Sequence, residues 1–583
     1  MALPYYFSSL ACISRMSHKQ VRLGTACDVG VMQTPKCIAQ QVSQPAVRRR
    51  SANYRPSIWD YDFIKSLSGD YESDTSAKRM EALKEQIRPS FHGIKASESA
   101  ELIDNLQRLG IGHLFLKEMK EALDSMSIND NNLGMEGDLH ATALKFRLLR
   151  QHGYMISQDV FNNFRDDEGN FKQSILMDIK GTLSLYEASY LSFQGEIVLD
   201  KAQAFTKKHL KDLKGEANTN LQRLIDHALE LPLHWRCPRP ESKWYIETYE
   251  RTHNTNPVIL ELAKLNFNME QSILQKDLQD VARWWQKLGL QRKLSFCRDR
   301  MVECFLFGLF MVDDAQFEYG RKEVSKVNQL VTTIDDIYDV YGSLDELELF
   351  TNAVERWDLE AMELLPDYMK LCFLALYNTA NEVAYRVLEE QGCNALPYIK
   401  KAWADLCKGY LVEAKWYNNK YTPTVDEYLE HSWRTISTHA ALTYIYFARQ
   451  RENITKDELY VLENYGDLIR HCCLIFRLND DLGTSKDEMA RGDSPKAIQC
   501  YMHEKGISES AAREEIAVVI SETWKKMNEV CMNSTTFSEN YIKAVKNTAR
   551  SSHYVYQFGD GFGVVCNDMK DRILGLLAEP IPL

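Results

Sequence analysis

"TTIDDIYDVYG", residues 332–342, sets three carboxylates into an otherwise apolar run. Asp335, Asp336 and Asp339 stand among Ile334, Ile337 and Val340. On an α-helix, positions i and i+4 share a face, so Asp335 and Asp339 project together, with Asp336 about 100° round. The preceding "VSKVNQLVTTI" is mostly apolar, which predicts an interior helix rather than a solvated stripe. Buried charge needs a counter-ion, because an unpaired carboxylate is costly to desolvate. Asn328 and Thr332 precede the aspartates at helical spacing and fall on their face.

A second acidic set lies 145 positions further on, in "RLNDDLGTSKDE". Asp480, Thr484 and Glu488 fall at i, i+4 and i+8, one face over two turns, with Asp481 beside them. Two carboxylates and a hydroxyl make an all-oxygen set for a hard divalent ion such as Mg²⁺, which keeps waters and takes substrate phosphates to complete its shell. Cations for the remaining phosphate charge are at hand. Arg298 and Arg300 form an "RDR", Arg477 lies one turn before Asp480, and Lys496 follows "RGDSP". Ser494 and Pro495 read there as N-cap and first helical residue, which predicts an anion site at the helix start.

Around these clusters the chain reads as helical. No proline falls between Pro257 and Pro366, whereas Pro232, Pro238 and Pro240 crowd together and mark a break. There is no βαβ alternation and no Gly-rich phosphate loop. A length of 583 residues exceeds one hydrophobic core. The expected organisation is all-α with two helical domains, 49–255 and 256–583, packed directly. The net charge of −12 argues against nucleic acid or anionic lipid as a partner. The longest apolar run, residues 304–312, is far short of the about 20 residues a membrane span needs. Fourteen scattered cysteines without CxxC pairs suit free thiols. Residues 1–47 hold Arg15, Lys19, Arg22 and Lys36 with one acid, Asp28, so residues 1–48 read as an organelle transit peptide, with a disordered tail as the alternative.

With these motifs in order and at these spacings, the sequence closely resembles plant terpene synthases, specifically the monoterpene synthases of angiosperms, from about residue 49 to the end. The family's RRx8W appears as Arg49, Arg50 and Trp59, its RxR as Arg298 and Arg300, its DDxxD as Asp335, Asp336 and Asp339. Its third motif, (N/D)Dxx(S/T)xxxE, appears as Asp480, Asp481, Thr484 and Glu488. The resemblance implies a C-terminal class I α-bundle with the active site and an N-terminal α/α-barrel-like domain. No DxDD occurs in residues 49–260, so proton-initiated cyclisation is not supported.

By the same resemblance, Asp335, Asp339, Asp480, Thr484 and Glu488 would hold three Mg²⁺, with Mn²⁺ as a substitute. Arg298, Arg477 and Lys496 would bind the diphosphate of geranyl diphosphate, and Arg49 and Arg50 would close the site and assist isomerisation to linalyl diphosphate. Candidate cation-facing aromatics are Phe307, Trp285, Tyr444, Tyr556 and Phe562. Phe307 departs from the family, which commonly carries Trp there. Asn328 could orient a quenching water, though a passive place in the cavity lining suits it better; His439 could take a final proton, though a core role suits it better. The expected product is a thujane or p-menthane hydrocarbon: α-thujene, sabinene or γ-terpinene. Acyclic ocimene, or 1,8-cineole or terpineol, is the alternative; a sesquiterpene synthase and a non-catalytic helical scaffold stand further off. The enzyme is expected in the plastid stroma, as a monomer or weak homodimer.

Overall fold

Pro257 starts the helix that joins the two halves of the molecule. In the computed structural model, Asn256 caps it by accepting from the N–H groups of Val258 (2.9 Å) and Ile259 (3.3 Å). Proline at the first position loses no hydrogen bond. The helix Pro257–Leu288 then runs 32 residues until Gly289 closes it in the left-handed conformation, at φ 71°. It packs against the N-terminal helix Asp74–Ile87 on one side and Glu318–Asp336 on the other. The structure describes residues 49–69, 71, 73–128, 137–213, 219–252, 255–449, 454–564 and 567–583. The leader read at 1–48 lies outside them.

The break expected at Pro232–Pro240 is short. Leu233–Trp235 makes one 3₁₀ turn, and Pro238 already begins the next helix, Pro238–Glu250. Among the described residues there is no β-strand, only one isolated bridge between Arg165 and Phe171, so the all-α expectation holds. N-terminal helices pack in chain order, Leu139–Gln151 on Ile179–Ser189 and this on Ile197–Asp212.

Residues 49–583 form one compact unit with a core continuous from Trp59 to Ile581. Polar side chains stitch the halves. His234 Nε2 donates to Asn528 Oδ1 (2.7 Å), and Asn528 Nδ2 donates to the carbonyls of Tyr190 (3.0 Å) and Ser192 (3.1 Å). Within the C-terminal half, Asn268 makes a reciprocal pair with the backbone of Ile581, both bonds 2.8 Å.

In the C-terminal half, Met301–Met311 is buried along its whole length. A helix apolar all round belongs at the centre of a bundle. Pro257–Leu288, Glu318–Asp336 and Glu539–Tyr556 surround it. The two acidic helices, Glu318–Asp336 and Asp467–Arg491, both pack on Thr438–Arg449. That shared neighbour brings their C-terminal ends over one space.

Candidate active site

The space is an open cavity of about 880 Å³, part of it continuous with solvent. Asp335 and Asp339 line it from one helix, and Asp480, Thr484 and Glu488 from the other. Arg298, Arg477, Arg491 and Lys496 add positive charge, and Phe307, Phe476, Tyr556 and Phe562 give aromatic faces. The floor is the helix break at residues 435–438, where Ser437 takes φ 65°. Asn328 lines the cavity, and its Nδ2 is buried without a partner.

The first acidic helix does not end as an ordinary α-helix. Ile337–Tyr341 winds into a wider π turn, a local form often found at functional sites. Asp339 sits on that turn and still reaches the cavity. On the second acidic helix, Gly483 is required by close packing: a Cβ there would lie 2.9 Å from Tyr556 Cβ. Tyr556 is thereby held alongside Asp480. Thr484 Oγ1 donates to the Asp480 carbonyl (2.9 Å), which leaves its lone pairs toward the cavity.

Several expectations need correction. Asp336 is fully buried and faces away from the cavity. Its carboxylate accepts from the Arg298 backbone N–H (2.6 Å) and from Nε (2.8 Å), while Arg298 Nη2 reaches Asp335 (2.6 Å). Asp336 therefore orients Arg298 rather than meeting a ligand. Arg300 is 1% exposed and does not line the cavity either. Ser494 and Pro495 do not start the helix after Asp493: Lys496 is its N-cap, and the helix is Ala497–Lys505. The anion at this start is Asp481, whose Oδ2 accepts from the Ala497 N–H (3.2 Å). Asp481 thus acts from beneath the site, fixed also by Tyr428 Oη (2.7 Å) and Arg477 Nε (2.8 Å). Trp285 and Tyr444 are core residues engaged with Asp299 (3.0 Å) and Trp403 (2.9 Å). His439 is fully buried; burial holds its pKa down at about 4, and its Nε2 donates to the Ala402 carbonyl (3.2 Å).

Electrostatics show what this site lacks within the chain. Burial pushes the Asp480 carboxyl up to about 7, against the pull of Arg477. Burial and then the neighbouring Asp335 hold Asp339 well above the carboxylate range. Glu488 Oε2 is a buried acceptor without a donor. Among the described residues no three acidic, His or Cys groups converge tightly enough to hold an ion by themselves. Crowded carboxylates, one orphan oxygen and open cavity space fit hard cations whose shells a phosphate-bearing ligand completes. A raised carboxyl favours the folded state only while protonated, so the metal-free protein is expected to lose stability as pH rises through about 7. Thermal melts between pH 6 and 8 should show Tm falling with pH without Mg²⁺, and a larger Mg²⁺-induced rise at pH 8. A Tm flat in both respects counts against a cation site.

An N-terminal strap crosses the site. Arg49 Nη1 donates to the Tyr341 carbonyl (3.0 Å), and its fork pairs with Glu346 (2.8 and 2.9 Å). Arg50 Nη1 donates to the Asp339 carbonyl (3.0 Å), and its Nη2 pairs with Asp493 (3.4 Å). The two arginines so satisfy carbonyls at the end of the first acidic helix. Tyr54 covers the Arg298 guanidinium at 4.7 Å. Trp59 is buried, its Nε1 donating to Glu303 (3.0 Å).

Sequence reading missed Glu346, Asp493, Arg491, Asp560 and Glu413. Glu346 had a signal, the Ser343-x-x-Glu346 capping box. Glu413, buried beside Thr435 (2.6 Å) and Lys496 (3.9 Å), had none.

Comparison with known proteins agrees with this geometry. Residues 58–229 match the terpene synthase N-terminal domain, and residues 286–526 match the terpene synthase family metal-binding domain. An α-thujene synthase of Litsea cubeba, named as chloroplastic, is 51% identical over 549 residues, 94% of each chain. A myrcene synthase of Quercus ilex, also named as chloroplastic, is 50% identical over 94% of this chain and 92% of its own. A limonene synthase solved with 2-fluorolinalyl diphosphate superposes with TM-score 0.90 at 40% identity, over 92% of this chain and all of that one. Isoprene synthase from grey poplar leaves, solved with three Mg²⁺ ions and dimethylallyl-S-thiolodiphosphate, gives 0.83 at 45% identity over 90% and 99%. The chain belongs to the terpene synthase family, among its monoterpene synthases, and is a lyase that acts on a prenyl diphosphate with a divalent metal ion.

Proposed function

We propose that this monoterpene synthase ionises geranyl diphosphate, returns the diphosphate at C3 to give linalyl diphosphate, and cyclises the allylic cation formed on reionisation. The observation that carries the reading is the pair of acidic helices lining one cavity from two sides. In it, Asp335, Asp339, Asp480, Thr484 and Glu488 would hold three Mg²⁺, for which Mn²⁺ would substitute. When bound, the ions supply positive charge to the diphosphate oxygens as the C–O bond breaks.

The protein's own groups do the rest. Arg298, Arg477 and Lys496 face the cavity and neutralise the leaving group. Phe307 stands 5.5 Å from both Phe476 and Phe562, and with Tyr556 these rings present π faces to the cation. A desolvated cation–π contact contributes about 2 kcal/mol. Arg49 and Arg50 tie the strap across the mouth and exclude water during isomerisation. The solved relative with a linalyl diphosphate analogue supports that step.

A thujane or p-menthane hydrocarbon, α-thujene, sabinene or γ-terpinene, is the product this reading favours. A second reading rests on Asn328, which lines the cavity and whose buried Nδ2 has no partner. It would orient a water onto the cyclic cation and give terpineol or 1,8-cineole. The working enzyme is residues 49–583, divided at 255/256, in the plastid stroma, as a monomer or weak homodimer.

Incubation with geranyl diphosphate and Mg²⁺, followed by gas chromatography, tests the assignment: a cyclic hydrocarbon supports the first reading and an alcohol or ether the second. No volatile product removes the function. Deleting residues 1–48 is expected to preserve turnover. Arg49→Ala with Arg50→Ala should lower kcat on geranyl diphosphate by about tenfold or more, the scale of losing one to two charge-assisted hydrogen bonds. The loss on linalyl diphosphate should be smaller. Equal loss on both substrates contradicts the isomerisation role.

A further inference from the structure

We infer that Arg300 is a positioning residue that latches residues 560–563 over the cavity and thereby keeps water from the cation, without touching the diphosphate. The inference rests on the function proposed above and assigns the second arginine of the "RDR" a task unlike that of the first.

The two arginines diverge. Arg298 lines the cavity and turns its guanidinium to Asp335 and Asp336. In an extended strand, residue 300 would share that face. Arg300 instead takes φ −129°, ψ 29° as the cap of Met301–Met311, and its side chain leaves on another bearing. Its Nε donates to the Phe562 carbonyl (3.1 Å), Nη2 to the Gly563 carbonyl (3.0 Å), and Nη1 to the Asp299 carbonyl (3.0 Å). Its own backbone N–H is fixed by Gln329 Oε1 (3.0 Å), a fully buried side chain. All the acceptors of the guanidinium are main-chain oxygens, so no donor in this set is aimed at a ligand.

What it grips belongs to the site. Asp560, Phe562 and Gly563 line the cavity. The segment's internal support is one turn, in which Asp560 Oδ1 accepts from the N–H groups of Phe562 (3.1 Å) and Gly563 (2.6 Å). Gly559 takes φ 116°, and a Cβ on Gly561 would lie 2.3 Å from the Val555 carbonyl. Such a glycine-rich segment holds its place only through its anchors. A cation on two consecutive carbonyls is the strong kind of anchor, and a dry site is what a carbocation requires.

The test uses the full chain with geranyl diphosphate and Mg²⁺ in ¹⁸O-labelled water. Arg300→Met is expected to raise the labelled alcohol share about tenfold or more, the scale of losing the charge-assisted bonds to two carbonyls. It should lower kcat and leave inhibition by inorganic pyrophosphate unchanged. Arg300→Lys should not rescue it, because a point ammonium does not span two carbonyls. Gly561→Ala displaces the same segment with the arginine intact, so it should give the same shift, and the double variant should be no worse than either single one. Weakened pyrophosphate inhibition in Arg300→Met, with the labelled share unchanged, overturns the latch. If Arg300→Met does not fold, Gly561→Ala decides alone, an unchanged share counting against. Hydrogen exchange at the Phe562 and Gly563 amides reads the latch without turnover: faster exchange in Arg300→Met or Gly561→Ala supports it, and wild-type rates overturn it. A wild type without volatile product would remove the proposed function, while the exchange comparison still decides the latch.

Discussion

Asp335→Ala is expected to lower kcat/KM for geranyl diphosphate by about 100- to 1,000-fold, the usual effect of deleting one group that stabilises transition-state charge. The same variant should keep the helical circular dichroism spectrum and the Tm of the metal-free wild type. Three observations fix that combination. The Asp335 side chain is 29% exposed, so truncation opens no core cavity. Arg298 keeps Asp336 as a partner through two bonds. Asp335 also holds the Asp339 carboxyl up, so its removal relieves charge crowding. Turnover near wild type would sink the ligand assignment. Loss of helical signal would mean that the residue is structural.

Arg477→Met should fail in the opposite way, losing fold stability together with activity. Arg477 is buried and serves two buried carboxylates, Asp480 and the fully buried Asp481. Removing one partner of a buried ion pair costs about 3–5 kcal/mol, because the other charge stays desolvated. Asp480 and Asp481 are already raised by burial, with Arg477 the chief opposing pull. Without it both would rise further, so the stability lost should be greater at pH 8 than at pH 6. Mg²⁺ should restore only part of it, since Asp481 faces Tyr428 and Ala497 rather than the cavity. Chemical denaturation at the two pH values checks the sign. A pH-independent loss would point to packing alone.

The contrast between these variants shows what the sequence could and could not reveal. Helical spacing on two segments was enough to bring Asp335, Asp339, Asp480, Thr484 and Glu488 to one cavity, since periodicity determines which face a residue joins. The long helix from Pro257 to Leu288 was legible because no proline interrupts the chain between Pro257 and Pro366. Asp336 and Arg300 were not. Their directions are set by partners 38 positions and more than 260 positions away, and no local pattern encodes such a pairing. Lys496 displaced Ser494 as N-cap because Asp481, on another helix, offered the Ala497 amide an acceptor. Trp285 and Tyr444 resembled cavity aromatics only because aromatic identity does not distinguish core from lining.

The seam between the halves has a practical meaning for recombination. A chimeric synthase that joins the first 255 residues of this protein to a relative's remainder would separate His234 from Asn528, and one spliced within the bundle would separate Asn268 from Ile581. Each donor and acceptor would face a side chain never selected to meet it. Exchanged modules should therefore travel with the residues that clasp them, His234 with Asn528 and the carboxyl-terminal tail with Asn268, or the hybrid will begin with unsatisfied amides at its joint.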